Sequence, residues 1–238
     1  MARLYLGTSG WSYPEWKGKF YPAKIAGDEM LPFYARHFDA VELNNSFYRL
    51  PKPEAMAKWR DTVPDGFRFA VKAPQTITHR RRLLDVEEPV QRFLAVADAM
   101  ANRLGPLLFQ LPPNMRADAD RLSGLLRLLP AGRQVAFEFR HESWLSQSVF
   151  DLLREHDAAL CLAETDESAA PLLPASGFVY LRLRKSDYTA EELVAWRNKL
   201  DALVQQGRDV YCFFKHESSA KGPEYVLSVM RSSLATLE

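Results

Sequence analysis

Eight short apolar runs, many of them β-branched or aromatic, fall at about 4–8, 40–44, 67–72, 106–110, 134–140, 159–164, 178–183 and 210–215. Most are separated by segments with helical period, the pattern of repeated βα units that feed a parallel sheet. Eight such units in 238 residues suit a closed ring better than a doubly wound open sheet. The expected fold is therefore α/β, a (β/α)8 TIM-like barrel in a single domain over residues 1–238. Two connections depart from regularity. Gly10 to Gly27 carries Trp11, Tyr13, Pro14, Trp16, Gly18, Phe20, Tyr21 and Pro22, too aromatic for an idle loop and too broken by Gly and Pro for a helix. It is expected to pack over the end of the barrel. Asp166 to Gly177 has two prolines and little periodicity, so the sixth βα unit is expected to be irregular, its helix short or absent.

The helix after the third strand is the clearest. Val90, Phe93, Leu94, Ala97, Met100, Ala101 and Leu104 recur at three- and four-residue steps, which gathers them on one face, and Gly105 is placed as its stop. Before the last strand, Thr189 and Glu192 form a capping box. Leu193, Trp196, Leu200, Leu203 and Val204 then make a buried stripe, and Gly207 ends the helix.

Five strands share a further feature. Ala40-Val41-Glu42-Leu43-Asn44, Ala70-Val71-Lys72, Leu108-Phe109-Gln110, Ala136-Phe137-Glu138-Phe139-Arg140 and Tyr180-Leu181-Arg182-Leu183-Arg184 each bring a charged or amide side chain in near the C-terminal end. With a side-chain period of two, Val41, Leu43, Phe137, Phe139, Leu181 and Leu183 lie on one face and the charges on the other. Each interior charge costs several kcal/mol to desolvate, and a local breach of this kind marks function.

Lys and Arg total 31 against 30 for Asp and Glu, a formal charge of +1, so no global basicity marks a nucleic-acid partner. Cys161 and Cys212 fall within expected strands, and Met-Ala-Arg-Leu-Tyr leads directly into the first strand with no apolar signal region. Both features suit a reducing, cytoplasmic setting. No apolar run approaches the roughly 20 residues that span a bilayer, so no membrane partner is expected. The chain has no GxGxxG or Walker sequence and no His-x-His or His-Glu-x-x-His spacing. No cofactor is expected, with a divalent metal on Glu42, Glu138, Asp166 and His216 left open. Oligomeric state is not legible.

Gly7-Thr8-Ser9-Gly10-Trp11, Phe20-Tyr21-Pro22, Val41-Glu42-Leu43-Asn44-Asn45-Ser46-Phe47-Tyr48, Phe69-Ala70-Val71-Lys72, Ile77-Thr78-His79, Gln110-Leu111-Pro112-Pro113 and Phe137-Glu138-Phe139-Arg140-His141-Glu142-Ser143-Trp144 run in order over nearly the whole chain. Together they resemble the YecE-like domain-of-unknown-function family. The resemblance implies a TIM-barrel-like fold and no established activity. Many members carry an Asn-rich turn after the eighth strand where this chain reads Phe214-Lys215-His216-Glu217, so no role is carried over to that loop.

Active sites of such barrels sit at the C-terminal ends of the strands and in the loops beyond. Glu42 and Glu138 are candidate proton carriers, because desolvation among Ala40, Ala136 and aromatic neighbours raises a carboxyl pKa toward working pH. The rival reading pairs Glu42 with Lys72 and Glu138 with Arg140 as structural ion pairs. His141 and His79 transfer protons near neutrality or anchor their loops through a ring hydrogen bond. Trp11, Tyr48 and Trp144 form either an aromatic wall or loop packing. Arg182, Arg184, Lys185, Lys215 and Lys221 cluster on the last two units, where such barrels often receive phosphate, and the stretch from Ser218 to Pro223 adds backbone donors.

The candidate catalytic set is Glu42, Lys72, Glu138, His141 and His79. The candidate substrate contacts are Ser9, Trp11, Asn44, Gln110, Arg140, Trp144, Arg182, Arg184, Lys215 and His216. The leading reading is an acid–base enzyme of hydrolase or lyase type on a small anionic, phosphate-bearing or nucleotide-like substrate, with Lys72 stabilising developing negative charge. On that reading Glu138→Gln and Arg182→Ala abolish turnover without moving the thermal midpoint. A second reading is a nucleic-acid binder or repair-type nuclease, with Arg80, Arg81, Arg82, Arg184, Lys185 and Lys221 on phosphates. A third is a non-catalytic interaction scaffold built on segment 11–22, which requires an exposed apolar patch there.

Overall fold

The computed structural model describes residues 1–168, 176–216 and 220–232. The apolar runs form β1 (Leu4–Ser9), β2 (Ala40–Leu43), β3 (Arg68–Lys72), β4 (Leu104–Gln110), β5 (Val135–Glu138), β6 (Ala159–Glu164), β7 (Phe178–Leu183) and β8 (Asp209–Phe214). They pair side by side in chain order, every pair parallel, and β1 closes on β8. The single closed barrel expected from the pattern is the one found. Around it lie α1 (Met30–Ala35), α2 (Asn45–Tyr48), α3 (Pro53–Asp61), α4 (Glu87–Ala97), α5 (Ala119–Arg127), α6 (Gln147–Glu155), α7 (Ala190–Gln205) and α8 (Lys221–Ser232). Residues 169–175, most of the segment between β6 and β7 that was expected to be irregular, lie outside the described residues. None of the described helices is long and apolar enough to cross a membrane.

Strand alternation divides the core in two. Val41, Leu43, Phe137, Leu181 and Leu183 face outward into the large apolar cluster shared with the helices. Tyr5, Ala40, Ala70, Leu108, Ala136, Ala159, Cys161, Phe178, Tyr180, Tyr211 and Phe213 form a separate buried cluster inside the ring, as a period of two in a closed barrel requires. At its N-terminal end Tyr5 stacks on Tyr211 with centroids 4.6 Å apart, and the Tyr211 hydroxyl donates to Gln134 Oε1 at 3.0 Å. These rings stopper the bottom of the barrel.

The capping box at α7 is present, with Thr189 and Glu192 exchanging hydrogen bonds at 3.0 and 3.2 Å. Gly207 then turns the chain with φ of +81°, a conformation that favours glycine. Two expectations are corrected. The helix after β3 stops at Ala97, and Asp98–Arg103 tighten into a 3-10 segment broken at Ala101, where φ is +47°. Gly105 is therefore not a helix stop. It lies within β4, where a Cβ would come 3.2 Å from the Phe69 carbonyl oxygen, so its lack of a side chain serves close strand approach.

Segment 11–22 packs against α1 and its C-terminal extension. The Phe20 ring lies 5.6 Å from Phe33 and 5.2 Å from Phe38, and Tyr21 lies 5.5 Å from Phe33. Trp11, Trp16 and Tyr21 are buried. The rings cover the first helix, where their apolar area finds apolar partners, and the scaffold reading loses the exposed patch that it required.

The seam between β1 and β2 is held by a side chain from outside. The Tyr34 hydroxyl accepts from the Thr8 backbone N–H at 2.7 Å and donates to the Ala40 carbonyl at 3.0 Å. A Cβ on Gly7 would sit 1.8 Å from the Ala40 carbonyl oxygen and 2.9 Å from that hydroxyl. Gly7→Ala must push the two strands apart, and overpacking of this kind costs about 3 kcal/mol. In a chain of this length that corresponds to roughly 6–12 °C of thermal midpoint. Thermal denaturation checks it: an unshifted midpoint would mean that the seam gives way freely.

Candidate active site

The alternation that points Ala40, Ala70, Leu108, Ala136 and Tyr180 into the ring points the residue two places further on inward as well. Glu42, Lys72, Gln110, Glu138 and Arg182 therefore converge above the apolar cluster, and all five are buried together with Ser9. Arg182 is the hub. It is 1% exposed, and its guanidinium reaches Glu42 Oε1 at 2.8 Å, Glu138 Oε2 at 2.5 Å and Gln110 Oε1 at 3.3 Å. Glu42 also accepts from Ser9 Oγ at 2.7 Å, Asn44 Nδ2 at 3.1 Å and the Tyr180 hydroxyl at 2.7 Å. The second Glu138 oxygen accepts from Arg140 Nε at 3.0 Å and from the Arg184 guanidinium at 2.9 Å.

This geometry corrects the expected carboxyl pKa values. Burial does act to raise both, but the Arg182 charge and the hydrogen bonds from Tyr180 and Ser9 hold Glu42 below its ordinary value. Burial of Glu138 is likewise outweighed by Arg182, Arg184 and Arg140, which hold its carboxyl far below the usual carboxylate range. Paired charge beats desolvation because each carboxylate receives several charge-assisted hydrogen bonds. Both groups are fixed anions at neutral pH.

The pairing of Glu42 with Lys72 is corrected too. Glu42 turns to Arg182, and Lys72 Nζ donates to the neutral Gln110 Oε1 at 2.9 Å while lying 4.2 Å from the centroid of the Phe47 ring. Burial, then the charge of Arg182, lower the Lys72 pKa to about 8, with Glu42 and Glu138 pulling it partly back. His79 packs edge-on to the same Phe47 ring at 4.9 Å and accepts from or donates to Thr78 Oγ1 at 2.9 Å. Burial and the positive charges of Lys72, Arg140 and Arg82 hold it below its ordinary pKa, hence neutral. The expected pair of Glu138 with Arg140 is present, as one of three.

The remaining candidates divide. Arg140 and Arg184 border a cleft of about 550 Å³ that also meets Glu138, His141 and Glu142. His141 Nδ1 accepts from the Ser143 backbone N–H at 3.2 Å, the loop-anchoring alternative. Trp144 is corrected as an aromatic wall: it is fully buried, stacks on Phe139 at 4.7 Å and donates to the Met115 carbonyl at 2.8 Å. Trp11 is nearly buried, edge-on to Trp59 at 5.1 Å, beside a second cavity of about 430 Å³ that Asn44 also lines. Tyr48 is exposed.

His216 Nε2 donates to the Lys185 carbonyl at 2.6 Å, and Lys215 is exposed. Lys185 pairs with Glu192, and Lys221 with Asp187 at 3.1 Å, so these two lysines are engaged away from the hub. Glu217, Ser218 and Ser219 lie outside the described residues. The metal set left open is not gathered: Glu42 and Glu138 face guanidiniums, and Asp166 accepts from the Ser186 N–H at 2.9 Å. Among the described residues no three His, Cys, Asp or Glu side chains are placed to hold an ion.

Sequence reasoning passed over Tyr180 and Phe47. Tyr180 was legible as an inward position two residues before Arg182. Phe47 comes from α2, a single turn whose place over Lys72 no periodicity reveals.

A family model described as "Protein of unknown function DUF72" matches residues 5–236. The UPF0759 protein YecE of Escherichia coli K12 is 34% identical over 145 residues, 60% of this chain and 51% of that protein. The chain thus spans about half of that relative's length. The UPF0759 protein YunF of Bacillus subtilis is 26% identical across 90% of this chain and 89% of its own length. Among solved structures, a DUF72 family protein from Thermotoga maritima shares the fold with a TM-score of 0.87 at 23% identity, covering 97% of this chain and 99% of that one. A second, from Enterococcus faecalis, gives 0.80 at 18% identity, covering 97% and 95%.

Because the folded-state pKa of Glu138 is depressed from an ordinary 4.5, its stabilisation is fully present above that value and is lost as the pH falls below it. Wild-type protein is therefore expected to weaken progressively in acid. Glu138→Gln should flatten that dependence and cost about 3–5 kcal/mol at neutral pH, since it strips a buried ion network of one partner. This revises the unmoved midpoint expected from the sequence. Denaturant titration from pH 3 to 7 measures both, and equal slopes for the two proteins would contradict the network.

Proposed function

This chain belongs to the DUF72 family of proteins of unknown function, and we propose that it is an enzyme of hydrolase or lyase type that binds a small anionic substrate at the C-terminal rim of its barrel. The observation that supports this most is the charge balance of the hub. Two carboxylates, Glu42 and Glu138, face three guanidiniums, Arg140, Arg182 and Arg184. One positive charge is left over, and a second is added whenever Lys72 is protonated. Arg182 is enclosed, whereas the side chains of Arg140 and Arg184 are 37% and 14% exposed at the cleft. A planar donor fork at such a place suits a carboxylate or phosphate.

Glu42 and Glu138 hold these guanidiniums in position and are too acidic to exchange protons near neutrality. Proton transfer falls to Lys72 and His79. With a pKa of about 8, Lys72 has roughly a tenth of its amine free at pH 7, enough to act as a base without losing its use as an acid. Arg81 and Arg82 are turned to their own surroundings, Arg81 to the Asp85 carbonyl and Arg82 to Asn114 Oδ1, which lends the nucleic-acid reading little. The two buried free cysteines, Cys161 and Cys212, suit a reducing cytoplasm.

Calorimetric titration with inorganic phosphate and with small mono- and dicarboxylates tests the reading. Binding is expected, weakened about tenfold by Arg140→Ala, the loss of about 1.4 kcal/mol. The thermal midpoint should barely move, because the partly exposed pair with Glu138 contributes little on its own. Affinity should also fall as the pH rises through about 8, when Lys72 loses its proton. Absence of any anion affinity overturns the reading, and salt-sensitive affinity confined to DNA or RNA replaces it with the nucleic-acid one.

A further inference from the structure

A buried lysine kept for structural reasons faces a carboxylate, because an unpaired interior ammonium is costly. Lys72 has two carboxylates acting on it through space, Glu42 and Glu138, yet their oxygens are taken by Arg182, Arg140, Arg184 and the Tyr180 hydroxyl. Its Nζ is instead placed by neutral groups: Gln110 Oε1 at 2.9 Å and the face of Phe47 at 4.2 Å. The same Gln110 oxygen receives Arg182 at 3.3 Å, which fixes the amide with its acceptor toward the amine. The Lys72 backbone is pinned by Ser46 Oγ, which donates to its carbonyl at 2.7 Å. The amine is thus desolvated, fixed in position, and set beside a permanent cation. Those are the conditions that free a lysine of its proton and make it a nucleophile toward carbonyl groups.

We propose that Lys72 captures the carbonyl carbon of an anionic aldehyde or 2-oxo acid as an imine. Given the anion-binding reading of the rim, on which this depends, Arg140 and Arg184 hold the substrate's carboxylate or phosphate while the carbonyl meets Nζ. The nitrogen lone pair forms the C–N bond, and the carbonyl π pair moves to oxygen. Both protons of the free amine pass to that oxygen, which leaves as water as the C=N bond closes. No electrons are gained or lost, so no oxidant or reductant is needed. His79, neutral and packed on the other contact of the Phe47 ring, relays the protons. An imine draws electrons from the neighbouring bond, which points to the lyase branch of the proposed chemistry.

Reductive trapping tests this on the unaltered chain. The protein is treated with borohydride and either pyridoxal 5′-phosphate or glyoxylate as anionic aldehydes, with uncharged pyridoxal as control, and the adducts are mapped by peptide mass spectrometry. The expected result is a dominant adduct on Lys72, favoured about tenfold by the phosphate over its absence, and lost in Lys72→Met. Its rate should rise with a midpoint near pH 8, where exposed lysines rise only toward about 10.4. Adducts spread over exposed lysines with Lys72 unmodified, in protein that still binds inorganic phosphate, overturn the imine and leave the anion-binding reading in place. Loss of phosphate binding together with the adduct removes both.

Discussion

Arg182 is one planar cation shared between carboxylates that reach it from two other strands, Glu42 on β2 and Glu138 on β5. Without it, two buried anions would face one another in a medium that screens them poorly. With it, each carboxylate can stay ionised inside the ring and spend its remaining lone pairs on Ser9, Asn44, Tyr180, Arg140 and Arg184. Networks of this kind seldom add net stability over a well-packed apolar core of the same volume. Their value lies in fixing where charge sits, which is what the proposed anion site requires.

Once the carboxylates are committed to arginines, the rim separates into groups that never change protonation and groups that can. Glu42, Glu138 and Arg182 are the fixed part, each held in its charged form by the others, Glu42 below its ordinary value and Glu138 and Arg182 far from theirs. Lys72 and His79 are the labile part, both pushed toward the uncharged form by burial and by the positive charge around them. Positive charge that keeps Glu42 and Glu138 ionised thus adds to burial in bringing Lys72 toward neutral pH, and in the chemistry proposed above the roles first assigned to the acids pass to the bases.

Much of this was legible in the chain. A period of two was enough to say that Glu42, Lys72, Gln110, Glu138 and Arg182 face the same way, and eight strand signals were enough to say that they face into a ring. Partnership was not legible, because Arg182 and Glu42 lie 140 residues apart and only closure of the ring decides which inward charges meet. The neighbour pair of Glu42 with Lys72, the rival reading, is the natural guess from adjacent strands, and the wrong sign of the carboxyl shifts came from weighing desolvation without the arginines that the closed ring supplies. Trp144 failed for a similar reason, since the acceptor for its indole is a carbonyl 29 residues away. Gly105 failed for another: three-residue spacing persists through a 3-10 segment, so the helical period ran on past the true end of α4.

The stacked Tyr5 and Tyr211 rings and the apolar side chains above them make the barrel a well and not a tunnel. Solvent, reactant and product would share the same aperture, so a leaving molecule has to clear the mouth before the next can descend. In such a cul-de-sac, the turnover proposed above would be governed by traffic at the opening as much as by events on its floor.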